Sequence, residues 1–465
     1  MTQEEALTIL KTGANVFLTG EPGSGKTHTV NAYVAYLRKH NIEPAITAST
    51  GIAATHIHGM TIHSWSGIGI KERLSNYDLD KIASNERVAK RIMHTSVLII
   101  DEVSMLSSGT FSMVDAVCRA VRRSTKPFGG LQVVLVGDFF QLPPVVKRKI
   151  FVDEEISNDE FVFEDQSKPA PTQFAYNASA WRALNPIICY LEEQHRQEDD
   201  NFLEVLSAIR AGTFEARHKA HIDSRMVGDA SAPNDAVRLF PHNADVDRIN
   251  EQELQKIDGA ERSFTMRSSG AAATVETLKR GCLSPESLVL KVGASVMFTK
   301  NNPSGAFVNG TLGKITSFSA SGAPVVRTSG GRSIVVEPME WMIEEDGKVK
   351  AKIIQLPLRL AWAITVHKSQ GMSLDAAVMD LSQTFEYGQG YVALSRVRTL
   401  AGLYLLGINE RALTVHPEAL EMDEEFREQS NSAKEVFTNM SRRDLSDMQN
   451  RFAKASGGII EEDAE

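Results

Sequence analysis

The chain has 465 residues, of which 42% are hydrophobic and 23% charged, and its formal net charge is −9. This length predicts about three domains, and the apolar content excludes a chain that is disordered throughout. The acidic balance argues against a wholly basic protein that coats nucleic acid, but it is compatible with a local basic stripe. Cys118, Cys189 and Cys282 have neither metal nor redox spacing, and their odd number argues against a disulfide framework.

Short apolar strands alternate with helical patterns through the first third of the chain. A buried strand is predicted over residues 15–19. The helix that follows places Val30, Val34 and Leu37 on one face. Strands that alternate with helices predict an α/β fold with a parallel sheet covered on both faces. Further buried strands are predicted at Pro44–Thr47, Val97–Ile100 and Leu131–Val136.

The pattern changes in the last third of the chain. Residues 291–354 are rich in β-branched residues and in turn signals such as Asn309-Gly310, which predicts a small inserted β-barrel of SH3-like type. Residues 411–465 are charged and helix-prone and end in an acidic segment. We expect them to form a helical tail whose acidic end, after Ser456-Gly457-Gly458, frays.

The segment Gly20–Thr27, GEPGSGKT, matches the P-loop pattern and lies between a predicted strand and a predicted helix. Glycines let backbone N–H groups approach a phosphate, and the helix N-terminus favours its charge. This context argues against the alternative, a chance glycine-rich turn. ATP and Mg²⁺ are the expected ligands, with Lys26 on the β- and γ-phosphates and Thr27 on the metal. The predicted nucleotide-binding residues of the loop are Gly20, Gly23, Ser24, Gly25, Lys26, Thr27 and His28.

Two further strand ends complete the predicted site. Asp101 and Glu102 follow the strand at 97–100, where Asp101 is expected to hold Mg²⁺ through water and Glu102 to polarise the attacking water. Gln141 follows the strand at 131–136 and is a candidate sensor of the γ-phosphate. The alternative for Gln141 is a surface residue in a proline-stiffened loop.

Taken together, these motifs resemble those of the PIF-type DNA helicases of superfamily 1B, whose relatives include RecD and Dda. The resemblance covers most of the chain, from about residue 3 to residue 408. The motifs that carry it, in order, are GEPGSGKT, TASTGIAA at 47–54, GMTIHSWSGI at 59–68, DEVSM at 101–105, GDFFQLPPV at 137–145, LEEQHRQ at 191–197, AWAITVHKSQGMSLD at 361–375 and GQGYVALSRVRT at 388–399.

The resemblance implies two RecA-like domains with ATP between them, and movement in the 5′-to-3′ direction. The predicted domains are a first RecA-like domain over 1–180 with a small wedge insertion near 60–75, a second over 181–290 and 355–410, the barrel over 291–354, and the tail over 411–465.

Several site residues are implied by the resemblance alone. Gln3 matches the glutamine that reads adenine, and Gly371 is expected to face the nucleotide through its backbone. Arg196 matches an arginine that reaches the γ-phosphate from the second domain, and Arg396 matches the arginine finger. Cross-domain arginines would couple hydrolysis to closure of the cleft. By position alone, surface salt bridges are the alternative for both.

A single-strand track needs backbone contacts and aromatic faces. Uncharged or weakly charged groups would let a motor release and step. Trp65, Phe140 and Trp362 are candidate stacking or wedge residues, and core packing is the alternative for each. Gln370 is expected at the joint between ATP and DNA. The candidate phosphate contacts are Ser49, Thr50, His63 and Ser64 in the first domain and Thr365, His367, Lys368 and Ser369 in the second.

The sequence thus predicts a monomeric, DNA-stimulated ATPase that acts on single-stranded DNA and on duplex or fork DNA. Two alternatives stay open: a RecD-like translocating subunit of a recombination complex, and a P-loop switch that does not move. RNA is not distinguished from DNA, since no identified residue tests for a 2′-OH. The first five residues lack the features of a signal peptide, and no apolar run reaches the ~18 residues of a membrane span. We expect a cytoplasmic enzyme of bacterial or viral origin, without membrane association.

Overall fold

The computed structural model describes residues 1–50, 53–54, 59–69, 71, 73–144, 174–193, 199–233, 236–300, 302, 305–307, 309–328, 330–345, 348–370 and 374–459. The α-helices of this part of the chain are α1 Gln3–Lys11, α2 Lys26–Lys39, α3 Ile62–Ser66, α4 Asn76–Ala83, α5 Glu86–His94, α6 Ser108–Arg122, α7 Ser179–Leu184, α8 Asp200–Arg210, α9 Ala216–Asp223, α10 Asn243–Lys256, α11 Ala272–Gly281, α12 Gln389–Leu394, α13 Pro417–Asn439 and α14 Arg442–Ala455.

The strands of the same residues are β1 Val16–Gly20, β2 Ala45–Ala48, β3 Met60–Thr61, β4 Val97–Asp101, β5 Gln132–Val136, β6 Ile187–Leu191, β7 Val237–Phe240, β8 Arg262–Thr265, β9 Arg267–Gly270, β10 Ser287–Leu290, β11 Ser295–Phe298, β12 Leu312–Phe318, β13 Pro324–Thr328, β14 Ser333–Val335, β15 Met339–Glu345, β16 Lys348–Gln355, β17 Leu358–Leu360, β18 Ala363–Thr365, β19 Ala377–Leu381 and β20 Leu403–Ile408.

The first sheet has six parallel strands in the order β3-β2-β4-β5-β1-β6. Strand β1 lies between β5 and β6, with Val16 opposite both Val134 and Ile187. Side chains along β1 alternate between the two faces. Val16 and Leu18 therefore join a core with α1 and α2, whereas Phe17 joins the core on the other side. Because both faces are covered, β1 and β5 are apolar runs that are buried throughout.

The second sheet has four parallel strands in the order β18-β7-β19-β20. Strand β7 lies between β18 and β19, with Arg238 opposite both Ala363 and Val378. Helix α8 contributes Phe202 and Ile209 to an apolar cluster that includes residues of both parallel sheets, such as Phe17 and Leu239. The two sheets confirm the predicted α/β class with parallel-sheet domains.

A mainly antiparallel region is inserted between α10 and β18. Its largest sheet has the order β14-β13-β12-β11-β17, and smaller sheets pair β10 with β8 and β15 with β16 and β9. Leu288, Val296, Phe298, Val326 and Leu358 belong to a core that is separate from those of the parallel sheets. The inserted region is therefore a folding unit with its own apolar interior.

The C-terminal helices return to the first sheet and pack on it. In α13, Phe426 lies 5.3 Å from Phe17 between ring centroids, and the Ser430 hydroxyl accepts the Tyr190 N–H at 3.0 Å. In α14, the Phe452 ring fills the space beside Gly13, where a Cβ would lie 2.2 Å from the ring. The tail predicted over 411–465 therefore contains helices, and their packing on the first sheet is a feature that the sequence did not predict.

Two predicted domain boundaries are wrong. The first domain does not end at residue 180, because β6 pairs along all of β1. The inserted region does not begin at 291 or end at 354, since β8 starts at Arg262 and β17 ends at Leu360. No helix among the residues described here is both long and apolar enough for a bilayer crossing.

Candidate active site

The loop between β1 and α2 has the backbone that a phosphate site needs. Gly23 and Gly25 have φ angles of 95° and 88°, in the left-handed region that favours glycine. Gly25 is the N-cap of α2, so the loop leads directly into a helix N-terminus, which favours an anion. Within the described chain, the Ser24 hydroxyl oxygen is buried and has no hydrogen-bond partner. The predicted strand–loop–helix context is confirmed, and the residues present fit a bound phosphate chain.

Lys26 lies across this loop. Its Nζ donates to the carbonyl oxygens of Gly20 at 2.7 Å and Glu21 at 3.0 Å. Thr27 and His28 follow on the first turn of α2 and are exposed. The loop therefore presents an ammonium and a hydroxyl at the helix N-terminus, where a phosphate and its metal would need them.

Asp101 ends β4 and Glu102 follows it, and the two form the acidic side of the site. Burial raises the pKa of both carboxyls, and the nearby Asp101 charge raises that of Glu102 further, while the Lys26 ammonium opposes both shifts. Glu102 has a φ of 53°, a conformation that costs a non-glycine residue about 1–3 kcal/mol and is typical of functional sites. A carboxyl whose pKa is raised towards neutrality suits a group that accepts a proton near pH 7.

Gln3 lies directly against the phosphate loop. Its Nε2 donates to the Ser24 carbonyl at 3.3 Å, and its backbone N–H donates to Glu193 Oε2 at 2.9 Å. A Cβ on Gly25 would lie 2.1 Å from the same Nε2. Thr2 forms the capping box of α1, so the position of Gln3 is fixed by a helix start. The structure thus brings Gln3 to the nucleotide loop, and its role in reading adenine stays a prediction.

Gln141 is buried in the loop after β5. Its Nε2 donates to Asp138 Oδ2 at 3.2 Å, and Asp138 Oδ1 accepts the Phe140 N–H at the same distance. Asp138 is fully buried and forms an ion pair with Arg210 at 2.9 Å. The alternative of a surface glutamine is therefore wrong.

Two residues of the second domain reach the first-domain carboxylates. Gln370 Nε2 donates to Glu102 Oε2 at 2.9 Å. Arg396 is only 2% exposed, and its charge is close enough to favour ionisation of Glu102. Its Nε donates to the Val392 carbonyl at 2.8 Å and its Nη2 to the Ser395 hydroxyl at 2.8 Å. Arg396 is thus buried at the domain interface, which contradicts the surface salt bridge proposed as its alternative.

The predicted DNA contacts of the first domain lie at one edge of its sheet. Ser49 and Thr50 follow β2, which pairs with β3 just before the segment that holds His63 and Ser64. Burial lowers the pKa of His63, so its imidazole is neutral at pH 7. The Ser49 hydroxyl oxygen is buried without a hydrogen-bond partner in the described residues.

The predicted contacts of the second domain follow β18, the edge strand of its sheet. Thr365 Oγ1 accepts the Lys368 N–H at 3.3 Å, and the Ser369 hydroxyl donates to the Val366 carbonyl at 2.8 Å. Burial lowers the pKa of His367, and burial together with nearby cationic charge lowers the pKa of Lys368 to about 8. The segment is therefore weakly charged, as the sequence suggested.

Two of the three aromatic candidates are not exposed faces in this structure, and the third, Trp362, is partly buried against the core of the inserted region. Trp65 is 2% exposed and Phe140 is 3% exposed, and both belong to the first-domain core. The Arg210 guanidinium lies 4.1 Å from the centroid of the Phe140 ring. Core packing, the alternative given for each ring, describes both positions.

Sequence reasoning missed Arg210, which contacts both Asp138 and Tyr391, and missed Tyr391 itself. Arg210 ends a helix that is apolar on its buried face, so no local pattern marks it. Arg196 and Gly371, two other predicted site residues, lie outside the described residues.

Comparisons with known proteins agree with this geometry. Residues 3–220 match the family model of PIF1-like helicases, and residues 274–318 match that of the 2B domain of the DNA helicase Pif1. A relative from Psychrobacter sp. (strain PRwf-1), the ATP-dependent DNA helicase Pif1, is 40% identical over 99% of this chain and 76% of its own length.

Solved structures of the family also superpose on this chain. Pif1 helicase from Candida albicans is 32% identical with a TM-score of 0.76, over 91% of this chain and 98% of that one. Pif1 from Bacteroides in complex with ADP-AlF3 and ssDNA has a TM-score of 0.68, and a structure of two coordinating Pif1 helicases at forked dsDNA has a TM-score of 0.66. Both are 30% identical and cover 92% of this chain and 97% of those chains. The chain therefore belongs to the PIF1-like helicase family.

Proposed function

We propose that this chain is a DNA-stimulated ATPase that moves 5′ to 3′ along single-stranded DNA and unwinds the duplex ahead of it. The observation that carries the proposal is the hydrogen bond from Gln370 to Glu102 at 2.9 Å. Gln370 directly follows the segment of predicted DNA contacts from Thr365 to Ser369. Glu102 is the residue expected to activate water. This hydrogen bond would therefore connect the DNA-binding segment directly to the site of hydrolysis.

In the hydrolysis step, Glu102 orients the attacking water and accepts its proton. Lys26 and Arg396 supply positive charge to the phosphoryl group from opposite sides of the cleft, and Gln141 senses the γ-phosphate. Thr27 and Asp101 would hold Mg²⁺, which when bound neutralises charge on the phosphates. Because Arg396 belongs to the second domain, hydrolysis requires a closed cleft.

The two segments that are predicted to contact DNA are suited to releasing the strand in every cycle. The imidazoles of His63 and His367 have lowered pKa values and are neutral at pH 7, so they add no fixed charge to the track. Lys368 provides one cation beside hydroxyl groups. A track of this kind binds the backbone weakly enough to let go once per cycle, which a row of lysines would not.

We propose single-stranded DNA, duplex and forks as the DNA partners and a monomer as the acting form. The related structure of two coordinating helicases at forked dsDNA makes the number of copies at a fork an outcome to measure. The 5′-to-3′ direction rests on the family resemblance alone.

The first experiment measures ATP hydrolysis with and without single-stranded DNA, with Glu102→Gln as the control variant. Strong stimulation that the variant loses supports a DNA-coupled motor. Turnover that DNA does not change would favour a P-loop switch and overturn the proposal.

Strand displacement by the purified chain then tests unwinding and direction. Duplexes with a 5′ tail, a 3′ tail or an RNA tail are compared at equal protein concentration. The number of protein copies bound at a fork is counted by single-molecule detection of labelled protein. Displacement of the 5′-tailed duplex alone supports the proposal. Translocation without displacement would identify a subunit that unwinds only inside a larger complex.

A further inference from the structure

A buried polar cluster joins three parts of the molecule at the edge of the nucleotide site. We call it the Asp138 cluster, and its members are Asp138, Tyr190, Arg210, Tyr391 and Asp423. Arg210 Nη1 lies 2.9 Å from each Asp138 carboxylate oxygen and 3.3 Å from the Tyr391 hydroxyl. Its Nη2 donates to the Tyr190 hydroxyl at 2.8 Å and lies 3.6 Å from Asp423. One guanidinium therefore contacts both domains and the C-terminal helix α13.

On the first-domain side, Asp138 determines where Gln141 lies. Its carboxylate accepts from both the Gln141 side chain and the Phe140 backbone, each at 3.2 Å. Arg210 holds that carboxylate and also covers the Phe140 ring at 4.1 Å. A change in the Arg210 contact would therefore move the predicted γ-phosphate sensor.

On the second-domain side, Tyr391 lies in α12, directly before Arg396. The Tyr391 carbonyl accepts the Ser395 N–H at 3.0 Å, and the next carbonyl, of Val392, accepts the Arg396 side chain at 2.8 Å. Gly388 at the start of α12 packs on the sensor loop, since a Cβ there would lie 2.4 Å from the Gln141 carbonyl oxygen. The sensor loop and the helix that holds Arg396 are thus in direct contact.

The third connection leads to α13. The Tyr190 hydroxyl donates to Asp423 at 2.9 Å and accepts from Arg427 at 2.7 Å, in addition to Arg210. All of its hydrogen-bonding capacity is used. The C-terminal helix thereby fixes the side of Arg210 that faces away from the nucleotide.

Burial of such an ion pair is costly. Asp138 is 0% exposed and Arg210 is 3% exposed, and desolvation of both charges offsets most of their attraction. A pair of apolar residues of similar volume would stabilise the fold about as well. The location of the pair, between two predicted γ-phosphate ligands, therefore points to a role in geometry instead of stability.

We propose that Arg210 is a positioning residue that couples Gln141 of the first domain to Arg396 of the second. Through Asp138 and Tyr391 it holds the sensor loop and α12 as one unit, so that both side chains reach the γ-phosphate in the same step. The inference rests on the proposed function, because it assigns those roles to Gln141 and Arg396.

The test uses Tyr391→Phe and Arg210→Lys, with Tyr33→Phe as the matched control. Tyr33 also has a buried hydroxyl, which donates to Gln132 at 2.6 Å in the first domain away from the cluster. The measurements are kcat and KM for ATP with saturating single-stranded DNA, the affinities for ADP and for ADP with aluminium fluoride, and the melting temperature.

Both cluster variants are expected to lower kcat by about 10- to 100-fold, the order of effect of a misplaced catalytic group. The affinity for ADP should stay within about twofold of that of wild type. We define the fluoride ratio as the affinity for ADP with aluminium fluoride divided by the affinity for ADP alone, and it should fall in step with kcat. Tyr33→Phe is expected to leave kcat and this ratio within about twofold, whatever its melting temperature.

A double-mutant cycle gives a second measurement, which a purely structural role of Tyr391 would not change. If Tyr391 acts through the sensor, Tyr391→Phe adds almost nothing to the loss of kcat caused by Gln141→Ala. Additive losses, or cluster variants that melt earlier but keep kcat and the fluoride ratio, would overturn the inference. Wild-type turnover is measured first: if DNA fails to stimulate it, the proposed function fails, whereas a wild-type kcat in both cluster variants refutes only the coupling.

Discussion

The nucleotide site and the predicted DNA track differ in how they present charge. At the nucleotide site, Lys26, Asp101, Glu102 and Arg396 are charged groups fixed by a glycine loop, a strand end and a buried interface. Along the track, most of the groups are hydroxyls or imidazoles with lowered pKa values. The first arrangement suits tight binding and chemistry on one phosphate chain. The second suits repeated release of a polymer, so substitutions in the two regions should differ in size and kind.

The largest effect is expected for Lys26→Ala. Its ammonium is the cation of the phosphate loop, held by the Gly20 and Glu21 carbonyls, and its loss removes charge stabilisation at the transferring phosphoryl group. We expect a fall in ATP turnover of about 10³-fold or more, to background. A coupled-enzyme assay with single-stranded DNA measures it, and binding of labelled DNA serves as the control for folding. Residual turnover above about a tenth of wild type would contradict the assignment.

Arg396→Ala should have the next largest effect. Arginine fingers contribute about 10³- to 10⁵-fold to phosphoryl transfer, so turnover should fall by about 10³-fold while the affinity for ADP stays near that of wild type. Comparison with Arg398→Ala is informative, since Arg398 is half exposed and pairs with Asp375 at 3.4 Å on the surface. Retained turnover in the Arg396 variant, or equal losses in both variants, would refute the role of Arg396.

The next effect in size is expected in the dependence of ATP hydrolysis on pH, which depends on the carboxyls of the nucleotide site. Asp101 and Glu102 must be ionised to act, and burial raises the pKa of both. The value of kcat/KM for ATP should therefore fall as pH drops below neutrality, well before ordinary carboxyls of pKa about 4 are protonated. The loss approaches tenfold per pH unit for one group. A flat profile between about pH 5 and 8 would contradict this.

Unfolding measurements over the same range control for loss of structure. A carboxyl with a raised folded pKa binds more protons when folded than when unfolded, so its contribution to stability declines as pH rises through that window. These two groups therefore favour the folded state at low pH, where activity is lost. If activity falls as pH drops while the contribution of these two groups to stability rises, the loss of activity comes from titration of the site and not from acid unfolding.

The sequence predicted the nucleotide site well because its constraints are local. The glycines at positive φ and the lysine at the helix start lie within the eight residues of one loop, and Asp101 and Glu102 are marked by the end of one buried strand. The two parallel sheets were also predictable, since apolar runs that alternate with helices have few other arrangements. Gln3, by contrast, came from the family resemblance and not from a local pattern, and the structure places it at a helix start against the phosphate loop.

The predictions that failed concern features that depend on contacts between residues far apart in the sequence. Nothing local shows that β6 extends the first sheet, or that α13 and α14 return to cover it. Trp65 and Phe140 are aromatic residues beside motifs, and only tertiary packing decides whether such rings are faces or core. Arg210 contacts Asp138 across 72 positions of the chain, and an arginine in an amphipathic helix ordinarily indicates a solvent contact.

The smallest expected effect concerns the track, and salt dependence is the measurement that reveals it. The pKa of Lys368 is lowered to about 8, so the side chain is mostly protonated at pH 7, whereas His367 is neutral there. Lys368→Gln should reduce the slope of log affinity against log salt by about 0.7, one phosphate contact for a single strand. His367→Gln, the control at the adjacent position, should lower affinity only modestly and leave the slope unchanged. At about pH 9 the wild-type slope should approach that of Lys368→Gln, because the ammonium has lost its proton. Equal slope changes in the two variants at pH 7 would mean that the imidazole is charged on DNA, and the contrast between a charged nucleotide site and a weakly charged track would no longer hold.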